Sequence, residues 1–255
     1  MKAIFKLKSN LLKFQGITIQ HLFDKLILPI FNYGSEVWGL NDSTKLEGIH
    51  IHFCKHILGV RGQTKNNFVY GELGRNSLKS RRVVNVIRYW LQIVQLDNTK
   101  FARKMYSLMY RNLDNNPNHK SWARTVKTLL QSTGLYEAWL NQGVGNVKVF
   151  ISLVKQRVFN MFVQNWNTDI NNSTRARCYT LYADFRFQPY LNLINIEKNR
   201  VALSRFRVSA HRLEVETGRW HTPVAIPFNE RHCRTCLNCL EKFHFLLHYV
   251  HYEIL

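Results

Sequence analysis

Apolar residues recur along this chain at the three- and four-residue spacing of an amphipathic helix, and that periodicity leaves little room for a sheet protein. Leu46, Ile49, Phe53, Cys54, Ile57 and Leu58 form one stripe, after a candidate N-cap at Asp42 or Ser43 and before a stop at Gly59. From Ser77 to about Leu96 a second stripe runs through Val83, Ile87, Trp90, Leu91 and Val94, with Lys79, Arg81, Arg82 and Arg88 on its basic side. Phe101 to Arg111 reads as a shorter helix, as does a segment capped by Ser121 and ended at Gly134. The longest helix opens at Asn146 and carries Phe150, Leu153, Val154, Phe162 and Trp166. Only 205–208 and 213–215 alternate, briefly, as strands do. Polar runs at 112–119 and 167–174 predict loops, and Gly218 to Pro227 predicts a boundary. The expected fold is mainly α: an irregular helical bundle with a helical region over 1–111, a second over 112–217 containing a basic segment, and a small appendage over 218–255.

Charge decides which partners such a bundle would seek. The chain has 36 Lys and Arg against 16 Asp and Glu, a formal net charge of +20. That surplus strains a compact state by self-repulsion unless a polyanion neutralises it, which points first to nucleic acid and then to an acidic protein or membrane surface. The charges alternate with apolar residues along the whole length, so they belong to faces of folded helices and not to a basic tail. Three clusters are candidate phosphate contacts: Lys79, Arg81 and Arg82; Arg175 and Arg177; and Arg205, Arg207 and Arg212. Each also reads as an ordinary solvated helix face. Trp220 and Tyr179 are candidates for stacking on bases, or for the core.

Acid–base and two-metal chemistry need carboxylates brought together, and here they are scarce and scattered, with no Asp-Asp pair. Tyr182-Ala183-Asp184-Phe185 offers one carboxylate where a polymerase turn needs two, and there is no phosphate-cradling glycine loop. The expectation is a protein that is not an enzyme. No apolar run approaches the ~20 residues needed to span a bilayer. The N-terminal MKAIFKLKSNLLKFQ lacks a signal-peptide core and cleavage site, although its basic amphipathic character also suits a mitochondrial presequence without Arg. Five cysteines, with Cys54 and Cys178 isolated, fit buried thiols in a reducing compartment, nuclear or cytoplasmic, and not a secreted disulfide framework.

The other three cysteines sit with histidines near the C-terminus. Cys233-x-x-Cys236 has the spacing of a tight turn that aims two thiolates at one ion, and His244 and His248 are four apart on a short apolar segment. Together they make a tetrahedral zinc set, with Cys239 and His251 competing for the fourth position. Free thiols and surface histidines are the alternative.

Several segments, in order, resemble the C-terminal region of reverse transcriptases from non-LTR (LINE-type) retrotransposons. They are Leu28-Pro29-Ile30-Phe31-Asn32-Tyr33-Gly34, Phe53-Cys54-Lys55-His56-Ile57-Leu58-Gly59, Tyr70-Gly71-Glu72-Leu73-Gly74-Arg75, Arg205-Phe206-Arg207-Val208, Glu216-Thr217-Gly218-Arg219, and His232-Cys233-Arg234-Thr235-Cys236 with His244. The resemblance covers the part after the polymerase palm, so it implies no catalytic aspartates and no endonuclease. It implies a helical linker that grips template RNA or target DNA, and a Cys-Cys-His-Cys zinc knuckle over 218–255. Tyr249 stands where that knuckle expects its last cysteine, and the chain ends at Leu255. The expectation is a non-catalytic nucleic-acid-binding fragment; the alternatives are a module that docks on a polymerase or another protein, and an inactive truncated relic.

Overall fold

A computed structural model describes residues 16–41, 43–115, 120–176 and 179–232. The protein is mostly helical, and no strand occurs among the described residues; Leu73 and Phe187 make an isolated antiparallel bridge. In chain order the helices are α1 (Gly16–Leu22), α2 (Leu28–Phe31), α3 (Ser35–Trp38), α4 (Thr44–Leu58), α5 (Asn66–Glu72), α6 (Leu78–Gln95), α7 (Phe101–Asn115) and α8 (Trp122–Ser132). They continue as α9 (Tyr136–Leu140), α10 (Val147–Asn171), α11 (Tyr190–Leu193), α12 (Glu197–Arg207) and α13 (Glu214–Thr217). Packing divides the chain into two compact units interleaved in sequence: Met1–Leu22, Ile51–Arg75 and Thr168–Leu255 form the first, Phe23–His50 and Asn76–Asn167 the second.

The second unit is built on α6. Its Val83, Ile87, Trp90 and Leu91 are buried as the stripe predicts, Val94 is half-buried, and Val84, Val86 and Ile93 widen the buried face. So wide a face needs several neighbours to cover it, and α7, α8 and α9 supply Tyr106, Leu113, Val126, Leu130 and Trp139. Trp90 stacks on Trp139 with ring centroids 5.9 Å apart, and its indole N–H donates to the Tyr106 hydroxyl at 3.0 Å. That hydroxyl in turn donates to Gln142 Oε1 at 2.6 Å, so the buried polar tips are all partnered. The Leu78 N–H at the start of α6 donates to both carboxylate oxygens of Glu47, at 2.9 and 3.1 Å, placing negative charge at the helix N-terminus.

Local signals fixed several helix ends as expected. Ser121 Oγ accepts the Arg124 N–H at 3.2 Å to cap α8, and Gly134 lies two residues beyond its end with φ +68°. Asn146 Oδ1 accepts the Val149 N–H at 3.1 Å to open α10. Two expected loops open on helix instead: α7 runs to Asn115 and α10 to Asn171, while 116–119 lie outside the described residues. Buried Leu113 extends the apolar face of α7, and buried Trp166 and Ile170, four apart, extend that of α10. The brief alternation at 205–208 and 213–215 is not strand either. Arg205 to Arg207 complete α12, where Ala202 and Phe206 share a buried face at helical spacing, and Glu214 opens α13.

The first unit packs around Phe53, Leu58, Phe68, Leu73, Tyr179, Leu191 and Val208, all buried. Cys54 is fully buried among them. The Phe68 and Tyr179 rings lie 4.8 Å apart. Beneath them Glu72, with no exposed side-chain surface, accepts two bonds from the Arg207 guanidinium at 2.8 and 3.0 Å and one from the Tyr190 hydroxyl at 2.9 Å. Gly74 turns the chain after α5 with φ +58°, and a Cβ there would lie 2.5 Å from the Phe187 backbone nitrogen. No helix among the described residues is long and apolar enough to cross a membrane.

Candidate nucleic-acid interface

The basic residues singled out in the sequence have different fates. Lys79 is exposed, while Arg81 pairs with Asp24 at 3.1 Å. Arg82 is no surface cation: it is fully buried, donates to Ser43 Oγ, sits 3.9 Å from Glu47 and stands over the Trp38 ring. Burial pulls its pKa down, and Glu47 opposes that shift. Arg207 is likewise committed inward. Burial disfavours its charge, but the bond to Glu72 outweighs this and the net shift is upward. Neither guanidinium is placed to meet a phosphate, because each neutralises a carboxylate beside the core. Arg205 is exposed and donates to the Gly59 carbonyl at 3.0 Å. Arg177 lies outside the described residues.

Arg175 and Arg212 come together, with residues the sequence did not flag. Within the first unit a cleft of about 540 Å³ is lined by Arg61 and Lys65 from the α4–α5 connection, Arg175 after α10, Arg212 after α12, and Arg219 and Trp220 after α13. Arg61, Lys65, Arg212 and Trp220 are exposed, and Arg175 and Arg219 are half-buried. Among the lining residues Glu216 is the sole carboxylate, and it is ion-paired with Arg219. Arg175 also feels the Glu216 charge, and three further cations, Arg61, Lys65 and Arg212, share the concavity with no lining carboxylate of their own. A second hollow of about 500 Å³ shares Lys65, Phe68 and Arg175 with it, so the two concavities adjoin along those residues. Its acid, Asp169, accepts a bond from Asn67 at 2.8 Å.

Burial tunes the two titratable groups behind the cleft in opposite ways. Glu216 is pushed up to about 7 because desolvation outweighs the adjacent Arg219 guanidinium. His211, stacked on Phe206 with centroids 5.4 Å apart, is pulled down to about 4 by burial first and by Arg219 second. At neutral pH the imidazole is uncharged and the cleft keeps its positive sign through its lysine and arginines. The two stacking candidates also separate. Tyr179 is buried in the core, whereas Trp220 is 65% exposed with the Arg175 guanidinium 5.1 Å from its ring centroid.

Arg61, Lys65 and Arg219 were missed because each stands alone in a loop or at a helix end, where one cation carries no pattern. The available signal was Trp220 next to Arg219. The zinc candidates Cys233, Cys236, His244 and His248 lie outside the described residues. Among the described residues, no group of three or more His, Cys, Asp or Glu side chains is placed to hold a metal ion. Comparison with protein-family models, with curated proteins and with solved structures found no match.

Proposed function

We propose that this chain is a non-catalytic nucleic-acid-binding module, related by its sequence motifs to the post-palm region of non-LTR retrotransposon reverse transcriptases, which holds template RNA or target DNA. The observation that carries the reading is the cleft where Arg61, Lys65, Arg175 and Arg212 converge beside an exposed Trp220. Phosphates entering it would replace solvent and counterions around cations that already repel one another, and the released counterions would drive binding. The +20 charge supplies a long-range field that steers a polyanion to it. A zinc ion on Cys233, Cys236, His244 and His248 would tie down the tail beyond the cleft. Gel-shift titration of the purified chain against RNA and DNA at rising salt tests the proposal. Affinity should fall steeply with salt, and absent or salt-insensitive binding refutes it.

A second reading, docking on a polymerase or another protein, is favoured by one observation in the second unit. Leu26, Ile30, Tyr33 and Val37 are 55%, 70%, 87% and 61% exposed within a short stretch around α2 and α3. Exposed apolar groups so close together are typical of a surface that another protein covers. Under that reading, Tyr33→Ser weakens capture of the protein partner and leaves nucleic-acid affinity unchanged.

A further inference from the structure

Resting on the nucleic-acid reading of the cleft, we infer that it selects unpaired strands, taking a splayed-out base on Trp220 while the surrounding cations hold the flanking phosphates. Trp220 is the last residue of a 3-10 turn, Gly218–Trp220, that the Ile226 N–H pins by donating to the Gly218 carbonyl at 2.9 Å. The Arg175 guanidinium stands over one face of the ring, which orients the indole, and 65% exposure leaves it broadly open to solvent. An open aromatic face is useful to a nucleic acid only if a base can lie flat on it. In a duplex the base faces are stacked on their neighbours and only edges are offered in the grooves.

The shape of the site argues the same way. Major-groove readers insert a protruding helix or ribbon about as wide as the ~12 Å groove. Here the cations line a concavity instead, on the α4–α5 connection, the segment after α10 and the turns after α12 and α13. A single strand can enter such a groove and continue into the adjoining hollow past Lys65 and Arg175. Phosphates supply affinity along this track, and the indole supplies the preference for unpaired bases, independent of which base it is.

The test is fluorescence polarisation with labelled single-stranded and duplex oligonucleotides of equal length, at one fixed salt concentration, on the full chain and on Trp220→Ala and Trp220→Phe. The wild type should bind the single strand more tightly. Trp220→Ala should weaken single-strand binding about 5- to 150-fold, the range for loss of one stacked base, and leave duplex affinity unchanged. Trp220→Phe should restore most of the loss, and unchanged melting of both variants confirms that the fold is intact. Binding of both forms that Trp220→Ala leaves untouched, or weakens equally, overturns the inference alone. Binding of neither form overturns the proposed function with it.

Discussion

Replacing Arg207 separates a cation that holds the fold from one that holds a ligand. Its guanidinium donates to both oxygens of Glu72, and the two side chains are 16% and 0% exposed. Arg207→Met keeps most of the aliphatic volume but leaves a buried carboxylate with the Tyr190 hydroxyl as its remaining side-chain donor. Removing one partner of a buried pair costs about 3–5 kcal/mol, far more than an exposed ion pair is worth. At about 2–4 °C per kcal/mol for a chain of this size, melting should fall by about 6–20 °C. Glu72→Leu combined with Arg207→Met should recover much of the stability, because an apolar pair carries no desolvation cost. Melting followed by circular dichroism reads both outcomes. A single variant that melts with the wild type would refute the assignment of Arg207 to the interior. The salt dependence of nucleic-acid binding should not change in Arg207→Met, since no phosphate contact is lost.

Three further substitutions test the turn geometry and the titration at the cleft. Gly74→Ala should destabilise by at least about 2 kcal/mol, since it adds a left-handed residue and a clash with backbone near Phe187. Gly48→Ala, in open space within α4, should be neutral or stabilising by up to about 1 kcal/mol in the same denaturant titration, and the reverse order would contradict the turn geometry. His211 has a depressed folded pKa, so its contribution is lost as pH falls from about 6.5 toward about 4. Glu216 has a raised one, so its contribution is lost as pH rises from about 4.5 toward about 7. In the wild type the two slopes oppose one another between these limits. His211→Gln should expose the Glu216 slope as a loss of about 3 kcal/mol on raising pH from 4.5 to 7, and a flat profile in that variant would count against it.

Helices were readable where one-dimensional signals suffice. The stripe of α6, the Ser121 cap and Gly134 stop of α8, and the Asn146 opening of α10 are all local features. Helix ends at 112–115 and 167–171 were obscured by polar residues, because one buried Leu113 or Ile170 per turn is enough to continue a helix that packs well. The burial of Arg82 could not be read beside exposed Lys79, since it depends on Ser43 and Glu47 much earlier in the chain. The same holds for Arg207 and Glu72. The cleft was legible only in part: Arg175, Arg212 and Trp220 stand out in the sequence, but their convergence with Arg61 and Lys65 comes from the interleaving of distant segments within one unit.

If the cleft cations make the phosphate contacts, they set the slope of log affinity against log salt for a single-stranded oligonucleotide. Each phosphate contact on a single strand contributes about 0.7 to that slope. Removing the three exposed cations together, in Arg61→Ala/Lys65→Ala/Arg212→Ala, should flatten it by about 2, with melting unchanged because none of the three supports the core. A triple variant that keeps the wild-type slope and affinity would contradict the account and place nucleic-acid binding elsewhere on the chain.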